Sequence, residues 1–230
     1  PAMKTPMINA GMVFTDRHVG GINYPRGGVG KIAEKLVEGL KKFGSNIRYR
    51  ANVKEILIER NEAIGVKLTN GEELFAKTII SNSTRWDTFG LNNNKNGLVK
   101  KEFVNKKEYS WSKTYKPSPS FVSIHIGVDK SIINSKFNCH HIIVENWDKL
   151  EDEKGVIFIS IPTLLDENLA PYGKHIIHAF TPSSIKEWEN LSRKDYLIKK
   201  EEYFNYILNK ISKILPNIQN TIDHKEIGTP

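Results

Sequence analysis

Cysteine is nearly absent. Cys139 stands alone among 230 residues, so no disulfide can close within the chain, and a reducing compartment is the simplest setting. Long apolar runs are missing too. No stretch approaches the ~18 consecutive apolar residues of a membrane-spanning helix, and no secretory signal pattern is visible. Nor is there a block of one charge. The formal net charge is +8, yet the densest group, Lys100, Lys101, Lys106 and Lys107, is interrupted by Glu102 and Glu108. Mixed runs of that kind are solvated faces. They argue against a nucleic-acid partner and leave open a polar surface near anionic headgroups. Metal-ligand spacing is lacking as well. Cys139, His140 and His141 are adjacent, and neighbours in a strand face opposite sides, so they do not converge on one ion. His175 and His178, three apart in another predicted strand, also face apart. No metal is expected.

What is present is enough for a packed core: 39% hydrophobic and 26% charged residues, in one large domain or pieces of two. The chain starts at Pro1 without an initiator methionine and stops at Pro230 with no closing element. It is therefore expected to be an internal piece of a longer protein.

Residues 1–23 read as irregular or short helical structure. They hold all three methionines, Met3, Met7 and Met12, whose thioethers suit either a gap-filled core or an apolar ligand surface. Asp16, Arg17 and His18 have no nucleophile beside them and read as an exposed or salt-bridged trio. A glycine cluster follows, Gly27, Gly28 and Gly30, opening a helical pattern with Ile32, Leu36, Val37 and Leu40 on one side; Gly44 suits its end. A P-loop is excluded because Ile32 follows Lys31 where Ser or Thr is required. GVGKIA, from Gly28 to Ala33, formally fits a dinucleotide fingerprint, but Tyr-Pro-Arg precedes it in place of a buried strand. Two readings remain: a backbone approach site for a flat ligand at a helix start, or a tight turn with close helix packing.

Beyond the helix, four short strands are expected. NIRYRANVKEILIER supplies two apolar–polar runs, AIGVKLT a third with Ile64, Val66 and Leu68 on one face, and ELFAKTIISN the last. Asn70-Gly71 marks a hairpin. Arg85-Trp86-Asp87 follows the last strand, where α/β folds bind ligands; Trp86 is read either as a ring-stacking residue or as an ordinary core aromatic. Residues 90–119 are polar and form a boundary with one helix. SFVSIHIGVD, HHIIVEN, GVIFISIP and KHIIHAFTP then read as a sheet of at least four strands. SSIKEWENL predicts a short helix capped by Ser183 or Ser184. A long amphipathic helix follows, with Tyr203, Ile207, Ile211 and Ile214 in a stripe, and Pro216 stops it.

GGINYPRGGVGKIAEKLVEGLKKFGSNIRYRANVKEILI, with NGEELFAKTIISNSTRWDTFG, is similar to the carotenoid isomerases of cyanobacteria and plants. SFVSIHIGV, CHH, FISIPTLLDENLAP and KEIGTP resemble the same family, so the likeness covers nearly the whole chain. More distantly, the order of glycine turn, helix, hairpin and IIS resembles the phytoene desaturases and amine oxidases. The resemblance implies an α+β or α/β flavoprotein of two domains: a discontinuous FAD domain, including residues 1–90, and a mixed-sheet substrate domain, including residues 91–230. It implies that the backbone of Val53 meets the adenine of FAD, that Ser81 and Asn82 pass close to the cofactor, and that Tyr24, Gly27, Gly28, Gly30 and Trp86 face flavin or substrate. The implied reaction converts a poly-cis carotene, prolycopene, to all-trans lycopene with reduced FAD and no net redox change, beside a membrane in a cyanobacterium or a plastid. No catalytic side chain is implied. The alternatives are a carotene desaturase-like FAD oxidoreductase and a flavin-free prenyl-lipid binder resembling the Rab GDP-dissociation inhibitors. The family's N-terminal GxGxxG segment is not among these residues, so the isolated 230 residues are expected to bind FAD weakly. Stoichiometric, tight FAD binding by the purified chain, read by flavin absorbance after gel filtration, would contradict this.

Overall fold

A computed structural model describes residues 23–90, 96–116, 118–134, 136–150 and 152–230, with isolated positions before residue 22. Met3 and the Asp16-Arg17-His18 trio lie outside the described residues; Met7 and Met12 are exposed, so neither fills a core. The chain divides into two compact units, one of residues 40–118 and one of residues 1–39 with 119–230.

In the unit of residues 40–118, strands β1 (Val53–Glu59), β2 (Glu62–Leu68) and β3 (Glu73–Phe75) form an antiparallel meander. The first hairpin turns on Arg60 and Asn61, with φ of 50° and 65°; two left-handed residues in a row make the turn whose twist matches paired strands. The second turns at Asn70-Gly71, where Gly71 has φ 92° and the Asn70 side chain accepts from the Glu72 N–H at 3.0 Å. Residues 46–52 are not a strand as expected, because Arg50 takes φ 55° and breaks the extended run. ELFAKTIISN pairs only through β3. Ala76 still donates to the Ile64 carbonyl at 3.0 Å, and beyond it the pairing ends. Ile79 packs against Ile56, Val99 and Val104, while Ile80 is 90% exposed.

Helix α2 (Arg85–Phe89) is capped by Thr84 and closed by left-handed Gly90. Helix α3 (Lys106–Thr114) is capped by Asn105 and brings Glu108 into the interior. There Arg85 holds it with bonds of 2.6 and 2.7 Å from one guanidinium nitrogen and 3.1 Å from Nε.

The other unit carries a five-stranded antiparallel sheet in the order β5-β6-β7-β4-β8, with β4 Ser120–Asp129, β5 His140–Val144, β6 Val156–Ser160, β7 Lys174–Ser183 and β8 Ile222–Gly228. Val122, Ile124, Ile126 and Val128 alternate along β4 and are all essentially buried. With Ile177 and Ala179 they meet helix α4 (Arg193–Ser212), which buries Tyr203, Phe204, Ile207 and Ile211. Ser192 caps α4 by accepting the Asp195 N–H at 3.1 Å. The expected helix over SSIKEWENL is only a turn of 3₁₀ helix, Ile185–Glu187. Ser183 ends β7 and is committed elsewhere: its hydroxyl takes the Trp188 indole N–H at 3.0 Å and meets the Tyr203 hydroxyl. Ile207→Ala should cost about 2–5 kcal/mol, and Ser192→Ala about 1 kcal/mol, both read as lower midpoints in thermal unfolding; an unchanged midpoint for Ile207→Ala would contradict this packing.

Candidate functional site

The glycine cluster builds a tight turn into helix α1 (Gly30–Lys42). Gly28 N–H donates to the Pro25 carbonyl at 3.0 Å, and Gly27 and Gly28 take φ of 83° and 84°, where a side chain is strained. The Gly27 N–H donates to Asp166 Oδ2 at 2.7 Å. The same carboxylate accepts from Asn168, whose short 3₁₀ turn it caps. The Gly27 and Asn168 N–H groups, with Arg26 nearby, hold the Asp166 carboxyl below its ordinary range. A Cβ on Gly28 would sit 3.0 Å from Leu169 Cδ2 and 3.8 Å from the Tyr24 hydroxyl. Gly27 and Gly28 thus form a tight turn packed against Leu169.

Gly30 is different. Its φ is ordinary and a Cβ there would meet nothing within 4 Å. Among the described residues, nothing packs over this position. A cavity of about 540 Å³ adjoins, lined by Pro25, Arg26, Lys31, Ile32, Lys35 and Leu36. Apolar walls with three cations suit a flat phosphorylated group. No residue of α1 is buried, so its apolar side, including Ile32 and Leu36, stands open.

The remaining predicted site residues lie in the unit of residues 40–118. Val53 opens β1 opposite Leu68 and is partly exposed. Ser81 is tied to α2 through the Thr88 hydroxyl at 3.0 Å, and Asn82 beside it is exposed. Trp86 is half-buried against Trp111, ring centroids 4.7 Å apart, and Trp111 stacks on Tyr115 at 5.2 Å with the Arg85 guanidinium 4.5 Å above it. Trp86 is thus engaged with other aromatic side chains.

A further surface escaped sequence reasoning. Because β4 and β7 bury every second residue against α4, the alternate residues share the other face of the sheet. Phe121, Phe180 and Phe158 form an aromatic run there, with centroids 5.3 and 5.0 Å apart. At one end lies a concavity of about 580 Å³ walled by Phe121, Ile142, Val144, Trp147, Phe158 and Pro182. At the other lies one of about 590 Å³ that includes Ile176, Ala170, Pro171 and Tyr172 with His125 and Glu226. At the wall of this second concavity the imidazoles of His125 and His178 stack, 4.3 Å apart and 10° from parallel. Burial pushes the His178 pKa down, helped by its neighbour His125. The alternation in SFVSIHIGVD was the available signal; what it did not reveal is which strands lie side by side.

The fold, a mixed α/β arrangement with two antiparallel sheets, is that of an oxidoreductase from Methanosarcina mazei, with a TM-score of 0.61 at 18% identity over 90% of this chain and 43% of that one. The chain is 52% identical over its whole length to the chloroplastic prolycopene isomerase of Daucus carota and 51% identical to that of Arabidopsis thaliana. It is 24% identical, over 91% of its length, to a neurosporene-forming phytoene desaturase of Rhodobacter capsulatus. No family model matches. Over its whole length the chain is thus similar to prolycopene isomerases and, more distantly, to a phytoene desaturase. It spans 37% and 38% of the length of the carrot and Arabidopsis relatives.

The glycine turn has a pH signature. The folded Asp166 pKa lies below the ordinary 3.8, so its stabilising effect is complete above that value and is lost as pH falls through the lower folded pKa. The Gly27 amide should exchange slowly above pH 4 and faster as Asp166 protonates. Gly27→Ala should destabilise by about 1–2 kcal/mol through its positive φ; amide exchange and thermal unfolding read the two effects, and a pH-independent protection of Gly27 would contradict the first.

Proposed function

We propose that this chain is part of a carotenoid cis–trans isomerase that uses reduced FAD to convert poly-cis lycopene to the all-trans form without net redox change. The observation that carries this reading is the aromatic and aliphatic open face of the five-stranded sheet, an apolar bed bounded by concavities of about 580 and 590 Å³. β7 runs ten residues along that bed, which at ~3.3 Å per residue is a length of roughly 30 Å, the scale of a long polyene. Burying a hydrocarbon there returns ~25 cal/mol per Å² of apolar surface.

In this reading residues 1–90 contribute to the FAD domain and residues 91–230 to the substrate domain. The open space over Gly30 and the cations of Arg26, Lys31 and Lys35 fit a flat phosphorylated cofactor. The Val53 backbone, Ser81 and Asn82 would hold it, with Tyr24, Gly27, Gly28, Gly30 and Trp86 toward flavin or substrate. When bound, reduced FAD would supply transient electron density that lowers the bond order of a conjugated double bond. The protein's part is to exclude water, hold the polyene extended and leave one bond free to turn. A carotene reaches the protein from a lipid phase, so peripheral membrane contact is part of the proposal, at a cyanobacterial membrane or within a plastid. Among the described residues no helix is long and apolar enough to cross a membrane.

The likeness to a phytoene desaturase favours one second reading, net removal of hydrogen. The intact protein, given a poly-cis carotene under reducing conditions, should return a product of unchanged mass and longer-wavelength absorption; loss of two mass units per step would establish desaturation. Phe158→Ser and Phe180→Ser should each weaken polyene binding about tenfold, since each removes ~1.5 kcal/mol or more of apolar burial.

A further inference from the structure

Across the open face, one row of residues is polar from edge to edge. His140 lies opposite Ser160 in the β5–β6 register, Ser160 opposite His178, His178 opposite His125, and His125 opposite Glu226. One position from each of the five strands thus makes a continuous line at right angles to the strands. Two of its links are close: His140 Nδ1 and Ser160 Oγ are 3.0 Å apart, and the His125 and His178 rings stack at 4.3 Å. The neighbouring row, two residues along each strand, is Ile142, Phe158, Phe180 and Ser123, largely apolar.

The row's place on the bed decides what it can do. An anchor for a polar end group belongs at one end of an apolar trough. This row runs along the wall of one concavity, which His125 and Glu226 help to line, and the Phe158–Phe180 row and the other concavity lie beyond it; a chain long enough to fill both passes over it with its interior, where the conjugated double bonds are. Hydrocarbon gives imidazole no hydrogen bond, and covering a polar group without one is unfavourable, so these residues do not serve tight hydrocarbon binding. They are suited to moving a proton, which imidazole does at neutral pH.

We propose that the His125–His178 pair is the proton donor and acceptor for the interior of the bound polyene. This rests on the isomerase reading. The step is a transfer and its reversal. A protonated imidazole N–H breaks and the π pair of one double bond forms a new C–H bond. The positive charge spreads over the remaining conjugated bonds, and the former double bond turns as a single bond. The same carbon then returns a proton to imidazole and the double bond re-forms in the trans geometry. No oxidant or reductant is consumed. Burial lowers the His178 pKa, which makes its protonated form a stronger acid. The charged and titratable groups around the pair are His140, Lys174, His175, Asp223, His224 and Glu226, together with Lys200, Glu201 and Lys225 around a shallow cavity that His125 also lines.

The test uses the intact protein with reduced FAD and a poly-cis carotene in buffered D₂O. The transfer leaves one carbon holding both hydrogen and deuterium before either departs, so the trans product should carry deuterium at olefinic positions, read by mass spectrometry. His125→Phe and His178→Phe keep an aromatic ring on the bed and remove the proton. Each should lower kcat about 100-fold or more, leave KM and the absorption shift of bound polyene within about threefold, and abolish deuterium uptake. Product free of deuterium from the unaltered protein, or Phe variants with undiminished kcat, would overturn the inference and leave the isomerase reading standing. An unaltered protein that leaves the carotene unchanged would overturn both.

Discussion

The alternation of side chains along β4 and β7 governs the larger unit. The two strands pair over ten residues without a break, from Ser120 opposite Ser183 to Asp129 opposite Lys174. Each strand has a period of two, so choosing which residues meet α4 also chooses which residues do not. Val122, Ile124, Ile126, Val128, Ile177 and Ala179 are essentially buried; Phe121, His125, Phe180 and His178 take the other side as a geometric consequence. A slip of one residue would place His125 in the core and Ile124 on the open face. The cost of that exchange, several aliphatic side chains at ~1.5–3 kcal/mol each, fixes the register. The core thereby holds the functional surface in place.

The same strand anchors the glycine turn. Thr163, in the segment between β6 and β7, shares a 2.7 Å hydrogen bond with the ring of buried His175, and its hydroxyl also accepts the Ile176 N–H at 3.2 Å. Three residues on, Asp166 reaches the Gly27 N–H. A short path of directed bonds therefore runs from β7 through Thr163 and its own segment to the turn that opens α1. Burial pushes the His175 pKa down, keeping it neutral and able to share the Thr163 hydroxyl. These residues look unrelated in sequence because the relation is one of pairing across more than a hundred positions.

Legibility in the sequence followed the range of the interaction. Local signals served well: the Asn70-Gly71 turn, the strict alternation of β4 and the stripe on α4 all depend on residues a few positions apart. Signals that depend on a distant partner did not. Residues 46–52 have strand-like composition, but Arg50 turns the chain; Ile79-Ile80 has nothing to pair with; and Ser183 is drawn into a buried bond with Trp188 in place of capping a helix. Strand β8 was missed because Ile222–Gly228 has only Ile222 and Ile227 as apolar residues and owes its form to pairing with β4. Within the site, resemblance supplied residue roles that periodicity alone does not carry, while the histidine row is invisible from either source. His140, Ser160, His178, His125 and Glu226 meet only once strand order is known.

That row also bears on what the fold is built to favour. A bed of uninterrupted Phe, Ile and Val would hold a hydrocarbon more tightly than this one does, since imidazole under hydrocarbon loses water and gains no partner, at ~1–3 kcal/mol per group. Tight ground-state binding, however, does not speed the turning of a double bond; only interactions stronger in the transition state do. In the proposed isomerase, a titratable pair set under the interior of the polyene would weaken binding of the resting chain and meet charge as it develops on the turning bond. On that proposal the aromatic faces of Phe121, Phe158 and Phe180 would supply the affinity that the row gives up, and their negative π faces also favour positive charge above them. Affinity and chemistry are thus separated on one sheet into neighbouring rows, two residues apart along each strand.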